Sequence, residues 1–197
     1  MRFVIALILL VLAGCDKESQ PKGQAQPAST AKAGASDKAE IALESANGMR
    51  ATLSYQFAGQ KAPSAPFADA QGQDVSLADF EGKPLLLNIW ATWCAPCKAE
   101  MPTLDALAAS EKGRMNVIAV SQDLEGRAPV VAFFKETAVK NLVPYTDADN
   151  ALLTAFNNAI ALPTTILYDS DGKEVWRVAG GVEWDEAEMA KLLRAAD

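Results

Sequence analysis

Two cysteines separated by two residues stand where an apolar run gives way to a helix-forming segment. The motif is Trp93-Cys94-Ala95-Pro96-Cys97, preceded by Leu85–Trp90 and followed by Lys98–Leu104. A thiol at the start of a helix faces unpaired backbone N–H groups and the positive end of the helix dipole, and both favour the thiolate. The second thiol can then attack a mixed disulfide formed by the first. The pattern predicts thiol–disulfide redox chemistry.

The same spacing also occurs in zinc sites and in c-type haem attachment motifs. A zinc site needs two further thiol or imidazole ligands, but the chain has 3 cysteines and no histidine. Haem attachment requires a histidine directly after the second cysteine, where Lys98 stands. We therefore expect no metal site and no cofactor other than the redox-active Cys94–Cys97 pair.

Composition limits the classes of partner. The chain has 197 residues, and 50% of them are hydrophobic, which is enough for one domain with a core of its own. The formal net charge is -7, which argues against a nucleic-acid partner because such domains carry a basic surface.

The chain starts with the pattern of a bacterial lipoprotein signal. Met1-Arg2 is a short positive region, and Phe3–Ala13 is an apolar run too short to span a bilayer, which takes about 20 residues. The run leads into Leu12-Ala13-Gly14-Cys15, which resembles a lipobox. An ordinary signal peptide with an incidental cysteine, or an uncleaved anchor, are the alternatives that remain open.

A lipobox implies a signal peptide over residues 1–14 and acylation of Cys15, which becomes the mature N-terminus. Several acyl chains on one residue give stable anchoring, which a single chain only approaches. Asp16 resembles the signal that keeps lipoproteins in the inner membrane of some Gram-negative bacteria. The sequence therefore predicts a lipid-anchored protein that faces the periplasm, at the inner membrane.

The segment after the lipidation site predicts a flexible tether. Residues 16–40 are rich in Ala, Gln, Ser, Lys, Pro and Gly and have almost no large apolar side chains. Residues 51–57 alternate well enough for an edge strand. We therefore divide the chain into the signal peptide, the lipidated cysteine with its tether over 15–58, and a folded domain over 59–197.

Strands and helices alternate in that domain. The pattern predicts a hairpin at Phe67–Leu77, a buried strand at Leu85–Trp90, and after Cys94 a helix that contains Pro102. Further strands are predicted at 115–120, 143–146, 164–168 and 174–178, with helices at 129–139 and 149–157 and a last helix opened by a capping box of Asp185 and Glu188. This order indicates an α/β fold with a mixed central sheet flanked by helices.

The order of elements around the cysteines resembles the thioredoxin fold, and within it the membrane-tethered TlpA/ResA-like branch, over about residues 62–195. The supporting segments are Ala65-Pro66-Phe67, Phe80-Glu81-Gly82-Lys83-Pro84, Glu100-Met101-Pro102, Ala161-Leu162-Pro163-Thr164-Thr165 and Asp171-Gly172-Lys173. Residues 124–146 correspond to the inserted helix and strand that separate this branch from thioredoxin itself. The resemblance therefore implies a thioredoxin fold with an N-terminal hairpin and an inserted helix–strand unit.

The resemblance also assigns roles to residues. Cys94 matches the exposed attacking thiol and Cys97 the buried resolving thiol. Pro163 matches a cis-proline that faces the thiols, where the preceding backbone pairs with a client strand. The residues expected to contact the client are Trp93, Ala95, Pro96 and Leu162. For Trp93 this rests on its place next to Cys94, and a plain rim aromatic is the alternative.

Glu100 has two interpretations. It lies three residues after Cys97, so the two side chains share a helix face. A partly buried carboxylate there would raise the pKa of Cys97 and accept its proton, whereas an exposed one would merely complement the helix dipole. The match to the family's glutamate favours the first interpretation. Asn88 stands where thioredoxin has a buried aspartate. Since asparagine cannot ionise, either the proton-handling group has moved from this position to Glu100, or Asn88 is a plain hydrogen-bonded core residue.

The resemblance implies an extracytoplasmic thiol–disulfide oxidoreductase that reduces disulfides of client proteins and is recharged by a membrane thiol relay. Relatives serve cytochrome c maturation, copper-site assembly in oxidases and general thiol repair, and the sequence does not select among them. An oxidant or isomerase is the first alternative, although Ala95-Pro96 offers no histidine to stabilise the thiolate. A peroxidase is disfavoured because Leu87 and Ala91 replace the required Pro and Thr/Ser. A non-enzymatic copper-binding lipoprotein would have only Cys and Met ligands.

Overall fold

The computed structural model describes residues 40–157 and 160–196. The signal peptide, Cys15, Asp16 and most of the tether lie outside these residues. Within the described part, no helix is long and apolar enough to cross a membrane.

Nine strands, four α-helices and two 3-10 helices make up the described chain. The strands are β1 Ile41–Glu44, β2 Arg50–Ser54, β3 Phe67–Ala68, β4 Asp74–Val75, β5 Leu85–Trp90, β6 Asn116–Ser121, β7 Pro144–Thr146, β8 Thr164–Tyr168 and β9 Glu174–Gly180. The helices are α1 Ala95–Ser110, α2 Arg127–Glu136, α3 Ala151–Ala155 and α4 Ala187–Leu193, with 3-10 turns at Leu77–Phe80 and Arg194–Ala196.

All of the described strands form one mixed sheet in the order β1-β2-β9-β8-β5-β6-β7-β3-β4. β5 pairs parallel with β6 and antiparallel with β8, and β6 pairs parallel with β7. This is the predicted α/β architecture, with the hairpin β3–β4 and the inserted unit α2–β7 in their expected places. Pro102 lies inside α1, as the sequence indicated.

β5 is the centre of the core. All six of its residues are buried, as expected for a strand covered on both faces. Because side chains alternate along a strand, Leu86 and Trp90 pack in one cluster with Cys97, while Leu87 and Ile89 pack in another around α3. The strand therefore anchors the turn that leads directly to the cysteines.

The boundary of the folded domain differs from the prediction. The sequence indicated at most one edge strand, near 51–57, within a tether that ends at residue 58. The structure has two strands there, and β2 pairs with β9 through Leu53↔Val178. The tether prediction is therefore wrong for the last part of its range, because the sheet begins at Ile41.

The start of the last helix also differs. The sequence predicted a capping box of Asp185 with Glu188. In the structure the N-cap is Glu186, and no side chain caps the helix. The Glu186 carboxylate instead accepts a hydrogen bond from the backbone N–H of Ala46, 2.8 Å away. A tertiary contact thus takes the place of the predicted local one.

Candidate active site

Cys94 and Cys97 form a disulfide at the start of α1, with an S–S distance of 2.01 Å. Cys94 is the N-cap, and its sulfur accepts a hydrogen bond from the backbone N–H of Cys97 over 3.3 Å. Pro96 occupies the first turn, where a missing N–H costs no helical hydrogen bond. The helix start therefore directs the Cys97 N–H at the sulfur that the sequence predicted to attack.

The accessibility of the two cysteines differs less than predicted. Cys97 is fully buried, but Cys94 is only 6% exposed, so the expectation of an exposed attacking thiol is wrong for this disulfide form. Its neighbours supply the surface instead. Trp93 is 67% exposed, and Ala95 and Pro96 are exposed as well. These three residues therefore form a small exposed apolar surface next to the buried Cys94.

Pro163 lies beside the end of β5. The Leu162–Pro163 peptide bond is cis, which confirms that prediction. β8 starts directly after it, and Thr164 is paired with Ile89 of β5, one residue before the end of that strand. Pro163 is buried and Leu162 is half-buried. The register therefore brings the proline to the same end of the sheet as the turn that carries the cysteines.

Glu100 is fully buried in α1. Its Oε1 accepts a hydrogen bond from Asn88 Nδ2 at 2.7 Å, and its Oε2 accepts one from the backbone N–H of Val182 at 3.2 Å. Burial raises the pKa of Glu100 from its ordinary 4.5 to about 8. The hydrogen bonds from Asn88 and Val182 oppose this rise, as does the nearby Trp184 indole N–H, whose geometry falls short of a hydrogen bond.

Cys97 and Glu100 share one face of α1. They lie three residues apart in one helix, where Cβ atoms are about 5–6 Å apart, and neither is exposed to solvent. A carboxyl group with a pKa near 8 is partly ionised at neutral pH and can accept a proton from a thiol. The burial of Glu100 agrees with the interpretation of a buried carboxylate and not with that of an exposed residue that complements the helix dipole.

Asn88 supports this carboxyl group from the middle of β5. Its Nδ2 also donates to Thr165 Oγ1 of β8, over 2.9 Å. Its Oδ1 is buried and has no hydrogen-bond partner among the described residues. The Asn88 amide nitrogen therefore links β5 to two neighbouring elements, to α1 through Glu100 and to β8 through Thr165.

Asp123 is a further residue of this region that sequence reasoning did not single out. It is buried at the end of β6 and accepts hydrogen bonds from the backbone N–H of Thr92 at 2.9 Å, from Thr92 Oγ1 at 2.6 Å and from Ser121 Oγ at 2.6 Å. It thereby fixes the turn before Trp93. Its position just after a buried parallel strand was the available signal, because functional groups gather at that end of such sheets.

No group of three or more His, Cys, Asp or Glu side chains that could hold a metal ion occurs among residues 40–157 and 160–196. The polar groups near the cysteines are a buried glutamate, an amide and a buried aspartate that is already hydrogen-bonded. What the arrangement can do is exchange one disulfide for another and move the accompanying protons.

Comparison with known proteins agrees with this chemistry. The family model described as Redoxin matches residues 57–193. The thiol-disulfide oxidoreductase ResA of Bacillus thuringiensis subsp. konkukian is 36% identical over 124 residues, covering 62% of this chain and 69% of the relative.

Two solved structures are also similar. A protein from Chlorobium tepidum, provisionally assigned as the thiol:disulfide interchange protein DsbE, superposes with a TM-score of 0.61 at 26% identity, covering 71% of this chain and 98% of the other. The exposed lipoprotein thioredoxin Etrx1 of Streptococcus pneumoniae gives a TM-score of 0.53 at 25% identity, covering 66% and 96%. With a Cys94–Cys97 pair at the start of α1, the chain belongs to the Redoxin family, in its TlpA/ResA-like thioredoxin branch, and is a thiol–disulfide oxidoreductase.

Proposed function

We propose that this oxidoreductase works as a protein-disulfide reductase, whose dithiol form reduces disulfides of client proteins. The observation that carries the proposal is the buried carboxyl group of Glu100 one helical turn after Cys97. A strong oxidant needs a stabilised thiolate in its reduced form. Here no histidine is available to stabilise it, and the buried carboxyl group one turn after Cys97 disfavours a second negative charge beside it. Both features favour a reducing pair.

The first step uses Cys94. Its thiolate attacks one sulfur of the client disulfide, the client S–S bond breaks, and a client thiolate leaves while a Cys94–client disulfide forms. The N–H of Cys97, which donates to Cys94 Sγ, stabilises the attacking thiolate. The exposed Trp93, Ala95 and Pro96 bind the client segment around this sulfur.

The second step uses Cys97 and Glu100. The carboxylate takes the proton of the Cys97 thiol, and the resulting thiolate attacks Cys94 Sγ. The mixed disulfide breaks, the second client thiolate leaves and collects a proton, and the Cys94–Cys97 disulfide forms. Two electrons have then passed from the dithiol to the client. The enzyme needs a dithiol donor to start again, for which we propose a membrane thiol relay, and it needs no other cofactor.

Trapping the covalent intermediate tests this sequence. In Cys97→Ser the mixed disulfide on Cys94 has no internal exit, so clients should accumulate as reducible high-mass species that mass spectrometry identifies. Cys94→Ser should trap far less. In cells that lack the enzyme, the trapped clients should accumulate with their disulfides intact. Clients that instead accumulate as free thiols would identify an oxidant and overturn the reductase proposal.

We also propose that the enzyme is a lipoprotein anchored through Cys15 and facing the periplasm, with Asp16 retaining it at the inner membrane. The lipobox pattern supports this, and one relative is described as an exposed lipoprotein. Clients would then be extracytoplasmic thiol proteins, with apocytochromes and copper-site proteins as the first to examine. Cys15→Ser should release the protein from the membrane fraction or block its maturation. A wild-type protein that is soluble, with an unmodified Cys15, would contradict the anchor.

A further inference from the structure

The N-terminal hairpin, formed by β1, its turn and β2 over residues 41–54, lies outside residues 57–193 that match the family. It is nevertheless packed against the active site. Leu43, Ala51 and Leu53 are buried in the same apolar cluster as Cys94 and Cys97. An element that the family match does not include thus shares a core with the reacting groups.

Two glycines at the end of β9 show how closely the hairpin approaches. A Cβ on Gly180 would lie 2.4 Å from the carbonyl oxygen of Arg50 at the start of β2. A Cβ on Gly181 would lie 3.2 Å from Met49 Sδ on one side and 3.4 Å from the carbonyl oxygen of Pro96 on the other. Gly181 is therefore enclosed between the hairpin and the residues that separate the cysteines.

The hairpin turn is also hydrogen-bonded to the segment that follows, residues 182–186. Ser45 Oγ accepts from the backbone N–H of Glu183 at 3.1 Å, and Asn47 Nδ2 donates to Glu183 Oε1 at 2.9 Å. The backbone N–H of Ala46 donates to Glu186 at 2.8 Å. Three successive residues of the turn thus hold this segment in place.

The opposite side of segment 182–186 holds the active-site helix. The backbone N–H of Val182 donates to Glu100 Oε2, and the backbone N–H of Trp184 donates to Thr103 Oγ1 over 3.1 Å. Val182 and Trp184 are themselves buried. Segment 182–186 therefore connects the hairpin turn to the Glu100 carboxyl group through hydrogen bonds on both of its sides.

We propose that the N-terminal hairpin is a positioning element for the second step of the reaction: Ser45 and Asn47 fix segment 182–186, which aims the Val182 N–H at Glu100. This inference rests on the proposed role of Glu100 as proton acceptor for Cys97. The groups that face Glu100 are the Asn88 amide from β5, the Val182 N–H and Trp184 indole from segment 182–186, and Cys97 on its own helix.

Ser45→Ala in the full-length protein tests the proposal. It leaves the Glu183 N–H without its acceptor and loosens the segment, while the buried side chains around Glu100 stay in place. A weaker hydrogen bond to the carboxylate disfavours its charged form, so the midpoint of the pH profile for the second step should rise by about 0.5 pH unit. At pH 7 the rate should fall about threefold.

The second step is measured with a small aromatic disulfide whose released thiolate is coloured. Mixing it with reduced protein gives a first release from attack by Cys94 and a second from attack by Cys97, and the second is followed against pH. Ser45→Thr keeps the hydroxyl group and should restore the wild-type profile. Ser54→Ala is the matched control, because Ser54 is buried in the same hairpin and its hydroxyl group accepts from the neighbouring Gln56 N–H rather than from segment 182–186.

A Ser45→Ala profile that coincides with that of the wild type, or an equal shift in Ser54→Ala, would overturn the proposal. Glu100→Gln distinguishes failure of the hairpin's positioning role from failure of the proton-acceptor role of Glu100. If Glu100→Gln abolishes the pH dependence while Ser45→Ala leaves it unmoved, only the role of the hairpin fails. If Glu100→Gln leaves the profile unchanged, the proton-acceptor role fails, and the hairpin proposal fails with it.

Discussion

Asn88 donates a 2.7 Å hydrogen bond to Glu100 in a region where both side chains are fully buried. A central strand thus supports a carboxyl group on the helix that carries the reactive pair. Because Glu100 is buried and hydrogen-bonded in this way, the stability of the fold depends on its protonation state.

The first prediction concerns stability against pH. Because burial raises the pKa of Glu100 from 4.5 to about 8, its contribution to stability is fully present below pH 4.5 and is lost as pH rises through 8. The loss is on the order of 5 kcal/mol. Glu100→Gln in the disulfide form should remove this loss. It should be less stable than the wild type at pH 5, by about 1–3 kcal/mol, because one of two hydrogen bonds loses its acceptor.

Chemical denaturation at pH 5 and pH 9 measures this difference. At pH 9 the variant should be at least as stable as the wild type. Glu188→Gln, an exposed residue of α4, is the control and should change neither value. Equal destabilisation by Glu100→Gln at both pH values would show that the carboxyl group does not titrate in this range.

The second prediction concerns Asp105 of α1. Burial acts to raise the pKa of Asp105. Hydrogen bonds from Asn141, Leu142 and Lys140 outweigh burial and hold this pKa below the ordinary 3.8. Its contribution to stability is therefore present above pH 3.8 and is lost as pH falls through the lowered pKa. Asp105→Ala should lower the free energy of unfolding by about 3 kcal/mol at pH 7, since several backbone donors lose their acceptor.

Urea denaturation at pH 7 and at pH 3 checks this prediction. The difference between Asp105→Ala and the wild type should shrink at the lower pH. Asp149→Ala, an exposed carboxylate before α3, should be close to neutral at both. If the difference is the same at both pH values, the carboxylate charge does not hold the loop.

The third prediction separates Gly180, the last residue of β9, from Gly181, which follows it. Gly180 has a φ of 108°, and a Cβ there would collide with the backbone of Arg50 at 2.4 Å. Gly180→Ala should therefore destabilise the protein by about 3 kcal/mol or more. Gly181→Ala meets only the flexible end of Met49 and Pro96 at 3.2 Å or more, so it should cost less than about 1.5 kcal/mol. Thermal or chemical denaturation of both variants decides the order, and a reversed order would contradict the packing described for the hairpin.

The fourth prediction concerns the thiols. As N-cap of α1, Cys94 should have a pKa below the ~8.5 of a free cysteine, while Cys97, buried beside a carboxyl group, should titrate higher. The pH dependence of alkylation rates in Cys97→Ser and Cys94→Ser measures each thiol separately. Equal reactivity of the two thiols would contradict their assigned roles.

Local sequence patterns were sufficient to predict those features that depend on residues close together in the chain. The cysteine spacing, the strand before it and the order of elements up to Pro163 all follow from short segments. The burial of Glu100 does not, because position on a helix face leaves open which elements cover that face. The cover comes from Asn88 and Val182, which are distant in sequence.

The N-terminal hairpin was predicted only in part, for a related reason: the expected edge strand at 51–57 overlaps β2, but β1 was not predicted. Its strands are short and lightly apolar. β1 pairs with β2, and β2 in turn pairs with β9, so the hairpin is held by a strand that is distant in sequence. The start of α4 failed similarly, because Glu186 binds a hairpin N–H that no local capping rule anticipates. In both cases the deciding contact joins the two ends of the domain.

The pairing of β2 with β9 has a consequence for any shortened form of the protein. A chain that begins at Gly59 would leave β9 as an open edge, with a row of unpaired N–H and C=O groups and with Val178 uncovered on its outer side. Open edges of this kind pair with other strands and promote aggregation. A soluble form should therefore begin before Ile41, so that β2 pairs with β9 and the short strand β1 stands at that edge of the sheet.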